Sequence, residues 1–223
     1  RLLENQEKTS FISIKNKTTP LYEKILDDII SEKEIRNIAF SENNGSVVIG
    51  KDNTLWTSNI PKEAEKKLNE LNQKKVVINS IAFNKNNGWV IIYDDNKTES
   101  SKIPKELKDL LNSIQERKLK IKHLAFSPNG GWVLCYGYNG LSYSNFPTET
   151  VKFIEDLTYF GIKIKTISFT KDYGWVIVFG NNDFAHSDLP ENVKNKLYEL
   201  FNKDKTIKNI AFSPSGDWII TEK

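Results

Sequence analysis

The stretch Ile121–Tyr136, IKHLAFSPNGGWVLCY, contains the pattern that decides the fold of this 223-residue chain. It reads as a strand ending in Ala-Phe, a turn rich in Pro, Asn and Gly, and a second strand that is apolar on both faces. A second polar turn, a short third strand, a proline and a helix-like segment follow. The stretch therefore predicts a unit of three strands and one helix.

This unit recurs with a step of 43 residues. Phenylalanine ends each predicted first strand, at Phe40, Phe83, Phe126, Phe169 and Phe212. Tryptophan begins four of the second strands, at Trp89, Trp132, Trp175 and Trp218. Several residue types recurring in one register over five copies indicate a repeat architecture. The predicted units are 35–77, 78–120, 121–163, 164–206, and a fifth unit split between 207–223 and 1–34.

Each unit is predicted to end in an amphipathic helix. In the second unit Pro104 stands near the first turn, where a missing N–H costs little, and Glu106 follows where the helix dipole favours an acid. Leu107, Leu111 and Ile114 then recur at helical spacing, which predicts one buried face. The helix that follows Pro20 begins two residues later than strict periodicity requires, which indicates a small insertion there.

The two ends of the chain are predicted to complete one unit. Residues 10–14 read as a third strand followed by a helix, and residues 207–220 read as a first and a second strand. Pairing the ends covers two sheet edges that would otherwise be exposed. We therefore expect residues 1–223 to form one α/β domain, a five-fold propeller-like ring closed by its N- and C-terminal strands.

Two family resemblances follow from these segments. The phrase IAFSPSGDWI, Ile210–Ile219, resembles the strand–turn–strand phrase of bacterial WD40-like β-propeller repeats, although a helix stands where those repeats have a fourth strand. Read from the second strand, the order strand, strand, helix, strand is similar to the five-fold α/β propellers of the pentein type. The favoured fold is thus a ring of βββα (permuted ββαβ) repeats. The alternative is a five-bladed β-propeller with outer helices.

Composition narrows the classes of function. The chain has 32 Lys and Arg against 29 Asp and Glu, and a net charge of +3 is weak for a nucleic-acid-binding protein. No apolar run approaches the roughly 20 residues of a membrane span. The chain has no Met and opens on Arg1, which leaves a removed signal peptide, a tag or a preceding domain as alternatives. Localisation is therefore open, a secreted or periplasmic location included, and we expect a monomer or a domain of a larger protein.

Comparison between the copies gives no sign of catalysis. Cys135 stands where other units have Ile49 and Ile92, which predicts a small buried hydrophobic residue. Enzymatic penteins place a Cys, a His and acidic residues around the central axis, whereas Cys135 lies in the middle of a strand. His123 and His186 are isolated and show no metal-ligand spacing. We therefore predict no catalytic residue, no metal site and no cofactor.

Two sets of residues are candidates for ligand binding. The position after the first Ile of each unit is cationic in four of five copies, at Arg36, Lys122, Lys165 and Lys208. Equivalent positions of a ring lie on a circle, where cations can bind a phosphate, a carboxylate or an acidic polymer; the alternative is that these side chains only face water. Tyr138 and Tyr143, in and after the hairpin of the third unit, suit a partner surface.

The expected function is a non-enzymatic interaction module that binds a protein or a polymeric, anionic ligand through its loops or its central axis. A lectin-like module is the first alternative, and exposure of Trp56 and Tyr143 would favour it. A pentein-like enzyme is the second alternative. It requires a polar cluster with perturbed acids or a thiolate on the axis, and a channel lined by Ile and Ala would count against it.

Overall fold

The computed structural model describes residues 34–222, the backbone of Ser10–Ile14, and Leu21 and Lys24. Leu21 and Lys24 are helical, and the rest of the helix predicted after Pro20 lies outside the described residues. None of the helices in these described ranges is long and apolar enough to cross a membrane.

The strands repeat in the predicted order. The first strands of the units are β2 (Ile35–Phe40), β5 (Ile78–Phe83), β8 (Ile121–Phe126), β11 (Ile164–Phe169) and β14 (Ile207–Phe212). The second strands are β3 (Ser46–Gly50), β6 (Trp89–Tyr93), β9 (Trp132–Tyr136), β12 (Trp175–Phe179) and β15 (Trp218–Glu222). The third strands are β4 (Leu55–Ser58), β7 (Lys97–Ser101), β10 (Gly140–Ser144), β13 (Asp183–Ser187) and β1 (Ser10–Ile14). The helices are α1 (Lys62–Gln73), α2 (Lys105–Glu116), α3 (Thr148–Tyr159) and α4 (Glu191–Asn202).

These strands form five three-stranded antiparallel sheets, one for each unit. Four sheets are built from consecutive strands. In the fifth sheet β15 pairs with β14 on one side and with β1, from the other end of the chain, on the other. Phe11 lies opposite Thr221 and Ile14 lies opposite Ile219. The predicted split unit, and the closure that it implies, are confirmed.

The first strands form the inner ring of the molecule. Each contacts the first strand of the neighbouring units, from β2 through β5, β8 and β11 to β14, and β14 in turn contacts β2. The circle of contacts is therefore complete. The prediction of a five-fold, propeller-like α/β ring is confirmed.

The helices fill the space between neighbouring sheets. The buried face of α1, which includes Leu68, packs against Ile49 of its own unit and against Ile78 and Trp89 of the next unit. The same arrangement recurs around α2, α3 and α4. The second strands are covered on both sides, which explains why they are apolar throughout. Trp89, Trp132 and Trp218, each the first residue of its strand, are buried, as a packing role requires.

Candidate functional site

The antiparallel order fixes which segments share one side of the ring. The start of each first strand lies beside the hairpin that joins the second and third strands, because Gly137 N–H donates to Lys120 O and Gly180 N–H donates to Lys163 O. The C-terminal end of each helix leads to the same side. We call this side, marked by hairpins 51–54, 94–96, 137–139 and 180–182, the hairpin face.

The predicted circle of cations lies on the hairpin face. Arg36 donates to Lys51 O at 2.6 Å and to Ile78 O at 2.8 Å. Lys122 Nζ donates to Tyr138 O, and Lys165 Nζ donates to Asn181 O. Each of these three cations therefore donates a hydrogen bond to a backbone oxygen in the hairpin of its own unit. Their role in anion binding stays a prediction.

Positive charge is concentrated where the third, fourth and fifth units meet. Partial burial lowers the pKa of Lys165, and the nearby positive charges of Lys208 and Lys163 lower it further. Lys163 also lines a cavity together with Lys122. Lys122, Lys165 and Lys208 thus lie in three consecutive units, and Arg36 lies in the unit that follows them around the ring.

At most junctions between units, the hairpin is hydrogen-bonded to the next first strand. Asn53 donates from Nδ2 to Val76 O, and its Oδ1 accepts from Ile78 N–H at 3.3 Å. Asn182 makes the equivalent pair with Lys205 O and with Ile207 N–H, the latter at 3.1 Å. We call this arrangement the junction clamp. Between the second and third units, the backbone replaces it, because Ile121 N–H donates to Asp95 O at 2.8 Å.

The junction between the third and fourth units is open. Asn139 occupies the position of Asn53 and Asn182, but within residues 34–222 it makes no corresponding hydrogen bond to Ile162 or Ile164. Ile164 is half-buried, whereas its four counterparts in the ring are buried. A cavity of approximately 390 Å³ occupies this place.

We call this cavity the junction pocket. Its inner surface includes Cys135, His123 and Ile164, and its exposed edge carries the side chains of Lys122, Tyr138, Ile162 and Lys163. Tyr138 is 87% exposed, and Lys122 Nζ lies 6.0 Å from the centre of its ring. The pocket thus combines an apolar interior with a cationic, aromatic edge.

Small residues surround the junction pocket. Cys135 replaces the larger Ile49 and Ile92 of other units. Gly161 replaces Lys75, Lys118 and Asp204, and a Cβ built on Gly161 would meet no atom within 4 Å. Gly140 likewise replaces larger side chains in the hairpin. The missing side-chain volume leaves space between the hairpin and β11.

The pocket brings together two residues that the sequence did not connect. His123 in β8 lies opposite Cys135 in β9, and the hairpin register that also pairs Asn37 with Ile49 is the signal that would have placed them together. His123 Nε2 accepts the N–H of Ile167 at 3.1 Å, which leaves the proton of the neutral ring on Nδ1.

Burial favours the uncharged form of both His123 and Cys135. It lowers the pKa of His123 to about 4, and it raises the pKa of Cys135 to about 11 against the opposing effect of the Lys122 charge. The Ile167 N–H also favours neutral imidazole, because it needs an unprotonated acceptor. A thiolate–imidazolium pair consists of the charged forms of both side chains, whereas the surroundings here favour the neutral forms. The prediction that Cys135 is a buried hydrophobic residue is confirmed.

A second cavity of approximately 400 Å³ lies on the central axis, at the opposite end from the hairpin face. Every unit contributes the end of its first strand. The lining includes five small residues, Ala39, Ala82, Ala125, Ser168 and Ala211, each followed by phenylalanine. Isoleucine or leucine precedes each of these small residues and also lines the cavity. The cavity also has polar side chains, which include Asn37, Asn84, His123 and Thr166, so the axis is lined by both apolar and polar groups.

Tyr143 lies apart from the junction pocket. It is 47% exposed on β10, and its hydroxyl donates to Glu155 Oε1 at 3.4 Å on the adjacent helix α3. Tyr138 and Tyr143 therefore occupy different surfaces, although they are near each other in the chain. No group of three or more His, Cys, Asp or Glu side chains in the described ranges is placed to hold a metal ion.

A comparison with models of known protein families finds no match for this chain. No curated protein sequence matches it either. The likeness to WD40-like repeats and to penteins therefore rests on the repeat phrase and the order of elements alone.

Proposed function

We propose that this protein is a non-enzymatic interaction module that binds an acidic protein segment or another anionic polymer on its hairpin face. One observation carries the proposal. Lys122, Lys163, Lys165 and Lys208 lie in neighbouring units on this face, and within residues 34–222 none has a carboxylate within 4.0 Å.

Electrostatics supports this partner class. Burial is the largest cause of the lowered pKa of Lys165, repulsion from Lys208 and Lys163 adds to it, and a bound anion would relieve that repulsion. Exposed lysines spread over three units suit a ligand with several negative charges along its length. Tyr138 adds a large exposed aromatic surface beside Lys122. Because these charges are in contact with water, binding should weaken as salt is added.

A lectin-like module is the second candidate. Tyr143 supports it, because it is exposed as a sugar-stacking aromatic must be. Trp56, in contrast, is half-buried and packs against the core cluster that includes Leu21 and Ile219. The two aromatics also occupy different positions of the repeat, so they do not form equivalent sites. The interaction module is therefore the better supported of the two.

Of the axis and the thiol, the thiol supports a non-enzymatic function. The axial cavity combines Ile, Ala and Phe side chains with polar groups that include Asn84, His123 and Thr166, so it is not the channel of Ile and Ala expected to count against a pentein-like enzyme. Cys135 opens on the junction pocket and its raised pKa favours the unreactive thiol.

Charge reversal on the hairpin face tests the proposal. We expect the double variant K122E/K165E to bind fluorescent poly-L-glutamate at least about tenfold more weakly than the wild type in low salt. Lys122 is exposed and Lys165 is half-buried, and each loses one hydrogen bond to a hairpin carbonyl, so the melting temperature should fall by no more than about 8 °C and both proteins should be folded at 25 °C. Fluorescence anisotropy and thermal denaturation measure the two quantities.

The matched control is K108E/K152E. It makes the same change in net charge at exposed lysines near the start of α2 and α3, away from the hairpin face. We expect its binding to stay within about twofold of the wild type. Equal weakening in both double variants, or no binding of polyglutamate by the wild type, would contradict the proposal.

A further inference from the structure

We propose that the junction pocket binds the anionic end of an apolar molecule, a carboxylate joined to an aliphatic body. A fatty acid and the C-terminal residue of a peptide that ends in Leu both have this chemistry. The inference rests on the proposed function, since it places one specific anionic subsite within the hairpin face.

The open junction shows where the carboxylate would lie. At two other junctions a side-chain oxygen, from Asn53 or Asn182, accepts the N–H of the next first strand. The corresponding N–H is that of Ile164, which lines the pocket and in the described chain has no equivalent acceptor. A ligand carboxylate oxygen can take the place of the missing asparagine oxygen.

The charges at the pocket edge favour an anion over a neutral amide. Lys120 is already paired with Asp95 at 3.2 Å. Lys122 and Lys163 line the same pocket and, among the described residues, have no carboxylate within 4.0 Å. A carboxylate beside Ile164 N–H would therefore find two uncompensated cations nearby, which strengthens a hydrogen bond to an ionised acceptor.

The interior of the pocket fits the aliphatic body. Cys135 is 5% exposed and uncharged at neutral pH, and it leaves the space that an isoleucine side chain fills in the first and second units. Ile162 and Ile164 add aliphatic surface. The volume of approximately 390 Å³ lies at the lower end of the range for small-molecule pockets, roughly 300–1,000 Å³.

Cys135 provides a reporter for the site, because it is the only cysteine in the chain and it lines the pocket. The rate of its modification by neutral methyl methanethiosulfonate at pH 9 should fall at least about fivefold with saturating ligand. Two probes distinguish the sources of the carboxylate: decanoate, and the peptide acetyl-Gly-Ser-Ala-Leu. Protection by either probe supports the proposal, provided that the C-terminal amide of the peptide protects less than its free acid.

Calorimetry on variants tests the location of the site. Cys135→Ile introduces the residue found at two equivalent positions, and it should weaken binding of the protecting probe at least about tenfold. Val178→Ile adds a methyl group at the equivalent position of the fourth unit, outside the pocket, and should bind as the wild type.

K122Q/K163Q should weaken binding about tenfold by removing both charges. Cys135→Val serves if Cys135→Ile lowers the melting temperature.

Two results would overturn the inference. The first is that neither probe protects Cys135, and the second is that Cys135→Ile or Cys135→Val binds like the wild type. Polyglutamate binding is measured on the same variants and is expected to survive both substitutions at Cys135. Its survival without any probe binding would refute the pocket alone, whereas its absence in the wild type would refute the proposed function.

Discussion

Position 123 of the chain illustrates how different residue types make the same contact in different units. Asn37 in the first unit and His123 in the third occupy equivalent places. Each accepts a backbone N–H from the next first strand, Asn37 from Ile81 at 3.2 Å and His123 from Ile167 at 3.1 Å. These side chains join neighbouring inner strands, so they stabilise the ring where no sheet connects its units.

We expect His123 to make the protein less stable in mild acid. Its folded-state pKa of about 4 lies below the ordinary value near 6.5. Between these two pKa values, His123 binds a proton in the unfolded chain but not in the folded chain. The stability that neutral His123 contributes is therefore complete above about pH 6.5 and is lost as the pH falls towards 4. The loss reaches roughly 3 kcal/mol at most. Urea denaturation at pH 7, 5.5 and 4.5 measures it.

His123→Asn isolates this effect. Asparagine preserves an acceptor for Ile167 N–H, as Asn37 does for Ile81, but it does not titrate. We expect the variant to lose less stability than the wild type between pH 7 and pH 4.5. His186→Asn is the matched control at the other histidine. An unchanged pH slope in His123→Asn would show that His123 is not held neutral.

The sequence predicted part of this residue-level picture. Cys135 replaces isoleucine in an apolar strand, so its burial followed from the repeat alone. The partner of His123 did not follow, because Ile167 is 44 residues away and the contact depends on the curvature of the inner ring. The shared pocket of His123 and Cys135 required the hairpin register as well as the repeat.

At the scale of elements, the hairpins hold neighbouring units together to different degrees. Asn53 and Asn182 are half-buried and bridge to the next first strand, while Asn139 is exposed and does not. One position with one residue type thus has two roles. The hairpin that makes no such bridge lies beside the cavity whose lining includes Cys135 and Gly161.

Alanine substitution should separate these two roles. Asn182→Ala removes hydrogen bonds to Lys205 O and Ile207 N–H, and we expect it to lower the free energy of unfolding by about 1–3 kcal/mol. Asn139→Ala, at the same hairpin position, should stay within about 0.5 kcal/mol of the wild type. Urea denaturation of both variants at pH 7 tests the comparison. Equal losses would show that the third hairpin is clamped as well.

The difference between the hairpins was not predictable from the sequence. The same hairpin position is Asn in four units, at Asn53, Asn96, Asn139 and Asn182. The pattern therefore indicates four hairpins with the same contacts. The replacements at Cys135, Gly140 and Gly161 are visible in the sequence, but they belong to different elements. Only the position of β11 beside the third hairpin shows that they surround one space.

At the scale of the whole molecule, the two ends of the chain meet in one sheet. The pairing of β1 with β15 covers the edge of a strand that includes Trp218, Ile219 and Ile220, all of them buried. The same unit brings β14 against β2, which completes the inner ring. The recurrence of whole units predicted this topology, because each end carried the elements that the other lacked.

The junction pocket, in contrast, belongs to no single unit. It lies between a hairpin of the third unit and the first strand of the fourth, so comparison of isolated repeats does not reveal it. The sequence pointed to Lys122 and Tyr138 separately, as a cation on a circle and an aromatic residue in a loop. The ring places these two residues together.

The central claim is that the ring is closed by its own ends, and removal of residues 1–31 tests it most directly. Without β1 the edge of β15 loses its partner, and buried backbone groups lose their hydrogen bonds. We expect residues 32–223 to melt at least about 10 °C below the full chain, since each lost kcal/mol lowers the midpoint by about 2–4 °C at this size. Circular dichroism and tryptophan fluorescence should report the same loss. A truncated chain that unfolds cooperatively within about 2 °C of the full chain would contradict closure.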